Sequence, residues 1–284
     1  MTPFHHHHWA LCYRGGMTAT IGLQLYTIRE SLSEDVHRAL ARVAEIGIGS
    51  IELYGMSEHA DAYERAIADT GLSVSSAHAS MIGNDPSTTP DLSEALDLAE
   101  RLGVRTLIDP MTPAANWGDA DEIARMAEVL NAAAETAAAR GIRVGYHNHD
   151  GEIRGRVGDE SGLEHFVSLL DPRVVLEIDA YWVAAGGDDV VALATSHADR
   201  VRYLHVKDGT LEGDVAGQPA AGTGEPEHLD GQVTPGTGVV PLDATLAALP
   251  DLEFAVIEYD RVVGDIFAAI TASRDYLIER GYIS

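Results

Sequence analysis

Histidines and carboxylates in this 284-residue chain collect at the ends of short β-rich runs. One run ends in His78, a second in the motif YHNHDGE spanning His147, His149 and Glu152, and a third in EID, closing on Asp179 and followed by AYW with Trp182. A fourth carries HVKDG with His205 and Lys207, and a fifth carries IEYDR with Glu258 and Arg261. Imidazole and carboxylate groups can together hold a divalent cation and move protons, and without thiolates the set suits Mn²⁺, Mg²⁺, Co²⁺ or Zn²⁺. Taken singly, a strand-end Asp more often caps the next helix and a lone His more often serves structure. Five such ends facing one mouth make a stronger case. Side chains alternate along a strand, so His205 and Lys207 share one face of theirs, and Glu177 and Asp179 share one face of another. Glu177 would then lie one layer below Asp179, where a buried structural acid is the favoured role and support of a ligand the alternative.

The elements that must position these groups alternate regularly. Strands are expected at Thr20–Tyr26, Ser50–Tyr54, Ser73–His78, Arg105–Asp109, Arg143–His147, Val174–Asp179, Val201–Val206 and Glu253–Glu258, with helical patterns between them. Val36, Leu40, Val43 and Ile46 follow helical spacing behind a Ser33 cap, and Ile123, Met126, Val129 and Leu130 repeat it later. Gly47, Gly71, Gly103 and Gly141 stand where left-handed helix ends are expected. Eight βα units predict an α/β fold of the (β/α)8 TIM-barrel type, in a single domain over residues 17–284. A doubly wound open sheet is the alternative, but QLYTIRE stands after the first strand where a glycine-rich phosphate fingerprint would be needed.

Composition narrows the function. Acidic residues outnumber basic ones 45 to 19, and the formal charge is −26. Such a surface repels phosphate backbones, so no nucleic-acid partner is expected. Cys12 is the single cysteine, which excludes an internal disulfide and fits a cytoplasmic home. No apolar run reaches the ~18 residues of a membrane span. Residues 1–16, with the His5–His8 tract, read as a tag-like or upstream extension. The longest interruption, Thr210–Pro235, is rich in Gly, Pro and acidic residues, and in a barrel it is either a lid over the mouth or a surface insertion.

The segments IGLQLYTIRE, GYHNHDGE, LEIDAYW, YLHVKDG, PGTGVVPL and VIEYDR resemble the xylose isomerase-like barrels, which include sugar epimerases, inosose dehydratases and sugar phosphate isomerase/epimerase relatives. The resemblance covers nearly everything from Met17 onward. It implies one divalent metal, Mn²⁺ first, held by Asp179, His205 and Glu258 together with a fourth ligand near strand five. The HNHDxE-type segment assigns that place to Glu152, with His147 as its direct rival.

The activity so implied is that of a sugar isomerase or epimerase acting through a metal-stabilised enediolate. His147, His149, Lys207 and Glu258 would be catalytic, and Gln24, Tyr26, Tyr54, His78, Trp182 and Arg261 are candidate sugar contacts. A lyase is the runner-up, either inosose dehydratase-like or eliminating the aglycone of 3-keto glycosides, because an imidazole stands where the epimerases carry a carboxylate. A non-catalytic sugar-binding protein is the third reading. Apurinic-site endonucleases share the barrel, but they need a trinuclear metal cluster and a nucleic-acid groove that this charge and ligand count oppose. Scarce basic residues near the mouth favour an unphosphorylated small-molecule sugar. A homo-oligomer is expected, and some relatives work with a second subunit.

Overall fold

The computed structural model describes residues 19–83, 91–110, 116–211 and 231–283. The N-terminal extension, with its His tract and Cys12, and residues 212–230 of the long connection lie outside the described residues. The lid reading falls there.

Eight parallel strands close a barrel: β1 Thr20–Gln24, β2 Ser50–Leu53, β3 Ser73–His78, β4 Thr106–Asp109, β5 Arg143–His147, β6 Val175–Asp179, β7 Val201–Val206 and β8 Phe254–Ile257. They pair in sequence order, and β8 joins β1 with Thr20 opposite Phe254 to close the ring. Helices follow the strands, so the chain is a single-domain (β/α)8 TIM barrel, and each expected strand is present to within two residues at either end.

The local signals act through their ordinary chemistry, with one exception. Gly47, Gly71, Gly103 and Gly141 all have positive φ, between 71° and 92°, and three of them directly cap helices. Ser33 does not cap the second helix. It lies inside the preceding helix, Arg29–Glu34, and Asp35 caps Val36–Ile46 by accepting from Arg38 N at 3.0 Å. A carboxylate on an extended residue can reach the free amides of the first turn, whereas a serine already committed to a helix cannot. In the helix Ala120–Ala138, Ile123, Met126 and Leu130 are buried, while Val129 turns partly to solvent.

Alternation along each strand separates two environments. Outside β5, Tyr146 packs edge-on against Phe166 at 4.8 Å and beside Trp117, within the strand–helix layer. Inside the barrel, Ile108, Tyr203 and Val256 form an apolar floor. Along β7 the inward series Tyr203, His205, Lys207 rises from that floor to the carboxyl-terminal mouth, where loops and strand ends converge. Two small ribbons trim the loops, Asp208–Gly209 with Gln232–Val233 and Arg156–Val157 with Glu160–Ser161. Among the described residues, no helix is long and apolar enough to cross a membrane.

Candidate metal and active site

The strand ends bring His147, Asp179, His205 and Glu258 together, with one ligand atom of each within 4.8 Å of the others. All four are buried, between 0 and 5% exposed. Asp179 is fixed from two sides: Asn148 Oδ1 accepts from its backbone N at 3.0 Å, and its Oδ1 accepts from Trp182 N at 3.0 Å, capping the helix Ala180–Gly186. Asp179 Oδ2 and His147 Nδ1 are buried and make no well-directed hydrogen bond, their ionic neighbours being Lys207 Nζ at 2.9 Å and Glu177 Oε1 at 3.0 Å. His205 Nδ1 lies 2.7 Å from Glu258 Oε2.

Ion-pair contact without a directed hydrogen bond leaves such buried atoms bonding capacity that a ligand can take up. Two imidazoles and two carboxylates converging around them, with no thiolate, form a donor set that fits a divalent cation. Glu152 takes no part in this grouping. It lies on the short helix Asp150–Arg154, on the Tyr146 side of β5, and accepts from the Tyr146 hydroxyl at 2.8 Å. Burial pushes its carboxyl up to about 7. The strand-five residue in the metal grouping is His147, because the alternation that turns Tyr146 outward turns its neighbour inward.

Lys207 is fully buried among three carboxylates. Its Nζ donates to Asp260 Oδ2 at 2.9 Å and lies 2.7 Å from Glu258 Oε2 and 2.9 Å from Asp179 Oδ2. Burial opposes its charge, but Asp179, Asp260 and Glu258 hold its pKa well above the usual lysine value. Burial likewise works against the Glu258 carboxylate, yet Lys207 and His205 hold it well below the ordinary range. Burial dominates at Asp179, pushing it up to about 6 against Lys207 and His205. Gln232 Nε2 donates to Asp260 Oδ2 at 2.6 Å, while its Oε1 accepts from Asp260 N at 2.9 Å. Neither Asp260 nor Gln232 stands out in the sequence, although Asp260 lies two residues past Glu258 and shares its period-two phase.

Four imidazoles divide by charge. His147 is held well below the ordinary value by burial and by His205, and burial with the Lys207 charge brings His149 down to about 4. Both are therefore neutral near pH 7. His78 and His205 are the reverse: burial opposes their protonation, but Glu52 and Glu177 lift His78 to about 10, and Glu177 and Glu258 lift His205 well above its usual value.

Beneath the first grouping lies a second, of His78, His147, Glu177 and His205. Glu177 Oε1 is within 2.9–3.0 Å of His78 Nε2, His147 Nδ1 and His205 Nε2. Glu52, at the end of β2, adjoins it and was not singled out by the sequence, where a single Glu in SIEL resembles any buried-strand acid.

Among the remaining sequence candidates, Trp182 and His149 face each other with ring centroids 5.9 Å apart, and His149 Nδ1 and Trp182 Nε1 are buried without partners. Tyr26 and Tyr54 meet edge-on at 5.0 Å and are half-buried. Gln24 is fully buried below them, its amide donating to Glu52 Oε1 at 2.6 Å and its Oε1 accepting from Tyr26 N at 3.0 Å. Arg261 is exposed.

The chain is 28% identical over 138 residues to an inosose dehydratase of Lactiplantibacillus plantarum, a match covering 48% of this chain and 41% of that protein. The chain thus matches about two fifths of that relative's length. Its fold is shared with a sugar phosphate isomerase/epimerase of Parabacteroides distasonis at TM-score 0.68 and 23% identity, covering 96% of this chain and 97% of the other. It is shared too with the IolI protein carrying a bound zinc atom, at TM-score 0.65 and 15% identity over 92% of this chain and 97% of that one. The xylose isomerase-like TIM barrel model matches residues 40–278, and the chain belongs to that family.

Proposed function

We propose that this protein is a divalent-metal-dependent enzyme that removes a proton next to the carbonyl of an unphosphorylated sugar or polyol. The observation that carries this reading is the buried set His147, Asp179, His205 and Glu258, with one ligand atom of each within 4.8 Å of the others. These four residues would hold the ion, with Mn²⁺ the first choice and Mg²⁺, Co²⁺ or Zn²⁺ also compatible with the donors. When bound, the ion supplies Lewis-acid polarisation of a carbonyl and its neighbouring hydroxyl.

The chain's own groups supply the rest. His149 is neutral, with an unpartnered ring nitrogen, and accepts the proton from carbon. The Lys207 ammonium, fixed by Asp260, stabilises negative charge developing on the substrate oxygen. Trp182, Tyr26, Tyr54 and Arg261 are the side chains assigned to contact sugar hydroxyls. Among the described residues, Lys207 is already surrounded by carboxylates and Arg154 is tied to Asp150 and the Ala185 carbonyl, which supports an unphosphorylated substrate.

Elimination is the favoured completion: the electron pair of the broken C–H bond forms a C=C bond while a β-hydroxyl or glycosyl oxygen leaves with a proton. Two observations support it, the imidazole rather than carboxylate on β5 and the partial similarity to an inosose dehydratase. Epimerisation or isomerisation is the second reading. It is supported by Glu258 on β8 and His149 after β5, acid–base groups on strands separated by β6 and β7, which could serve opposite faces of one substrate.

Metal-reloaded protein incubated with inososes, 3-keto glycosides and ketoses, and followed by proton NMR, separates these readings. A new vinylic signal or a released aglycone supports elimination, and an epimer or isomer supports the second reading. Turnover should fall by about 100-fold in His149→Ala. Unchanged turnover in that variant would remove His149 from the mechanism.

A further inference from the structure

We infer that Glu52 is a positioning residue that selects which nitrogen of His205 is available to the metal. The inference rests on the metal set proposed above. Glu52 Oε1 accepts from His205 Nε2 at 3.0 Å, on the side of the ring opposite Glu258 and Asp179. That bond keeps a proton on Nε2, so the proton an incoming ion displaces is the one between Nδ1 and Glu258 Oε2, and Nδ1 becomes the lone-pair donor at the mouth. A metal-binding imidazole is held in this way when its second nitrogen donates to a fixed carboxylate.

Glu52 is itself immobilised. Gln24 Nε2 donates to its Oε1 at 2.6 Å, and Ser76 Oγ donates to its Oε2 at 2.5 Å. Ser76 lies beside Ser75, whose hydroxyl also reaches the Ile51 carbonyl, so three neighbouring strands fix the carboxylate. Glu52 is 0% exposed and lies below the mouth, where no substrate atom is needed to explain it. The role of Gln24 changes accordingly, from sugar contact to support of Glu52. Glu177 complements the arrangement from β6, with Oε1 3.0 Å from both His147 Nδ1 and His205 Nε2.

The test is Zn²⁺ and Mn²⁺ binding by calorimetry, together with ¹⁵N–¹H correlation of the histidine rings in the zinc-loaded wild type. The expected spectrum shows His205 bound through Nδ1 with Nε2 protonated. Glu52→Met, which removes the acceptor while filling the space, should weaken Mn²⁺ binding by about 10- to 100-fold, and Glu52→Gln, which keeps an acceptor oxygen, should recover part of that loss. Should Glu52→Met not fold, the wild-type spectrum and Glu52→Gln still decide the matter. Zinc bound through His205 Nε2, or Mn²⁺ affinity unchanged in folded Glu52→Met, overturns the inference while leaving the metal site standing. A wild type that binds neither metal overturns both.

Discussion

His147 and Glu152 lie in one seven-residue motif, yet they meet different surroundings. The strand ends at His147, which points to the barrel axis, and the chain then turns into a short helix that carries Glu152 back to Tyr146. His147→Ala should therefore lower Mn²⁺ affinity by about 100-fold or more, whereas Glu152→Gln should leave it within about twofold, both read by calorimetry. Glu152 has a separate signature. Its folded carboxyl sits near 7 against an ordinary 4.5, because burial disfavours the charged form. A group raised in this way contributes stability that is fully present below about pH 4.5 and is lost as pH rises through 7. The loss is on the order of 3 kcal/mol. Denaturant melts across that window should show the decline in the wild type, and Glu152→Gln should flatten it.

At the scale of elements, the alternation of strands and helices was legible because each βα unit carries its own period and its own glycine stop. Residue order alone could separate His205 and Lys207 from their outward neighbours, and it placed Asp179 and Glu258 at strand ends. It could not foresee Glu52 or Asp260, whose roles depend on strands distant in sequence: Glu52 meets His205 across 153 residues, and Lys207 meets Asp260 across 53. Nor could it rank Ser33 against Asp35 as a cap, since that depends on where one helix stops. The PGTGVV segment is explained only by the fold. Asp208 accepts from the backbone N of Gly209, Gly236, Gly238 and Val240 at 2.8–3.0 Å, pinning the loop beside the mouth. Asp208→Ala would strand four buried or half-buried amides and should destabilise the protein by about 3 kcal/mol or more, measured by chemical denaturation. Gly238→Ala should be similarly harmful, because a Cβ there would run into the Asp208 carboxylate and the Gly209 carbonyl.

Across the whole molecule, a charge of −26 surrounds a site that must gather a cation. A negative potential of this size raises the local concentration of divalent ions and opposes phosphorylated ligands, and both effects weaken as salt screens them. Association of Mn²⁺ should therefore slow as monovalent salt is raised, as stopped-flow fluorescence of Trp182, whose indole lies beside Lys207, would report. The barrel supplies the complementary feature, an interior that passes from the apolar floor of Ile108, Tyr203 and Val256 to a buried polar mouth, so that charge is concentrated where water is scarce. The function proposed for this mouth is removal of a proton beside a sugar carbonyl with the help of a bound cation. The most direct test is deuterium uptake in D₂O, read by proton NMR on keto-sugars and inososes with protein shown to hold one Mn²⁺ per chain. Deuterium is expected at the carbon next to the carbonyl in recovered sugar or product, lost on metal removal and in Glu258→Ala. Fully loaded protein that leaves every such C–H undisturbed would contradict the proposed function.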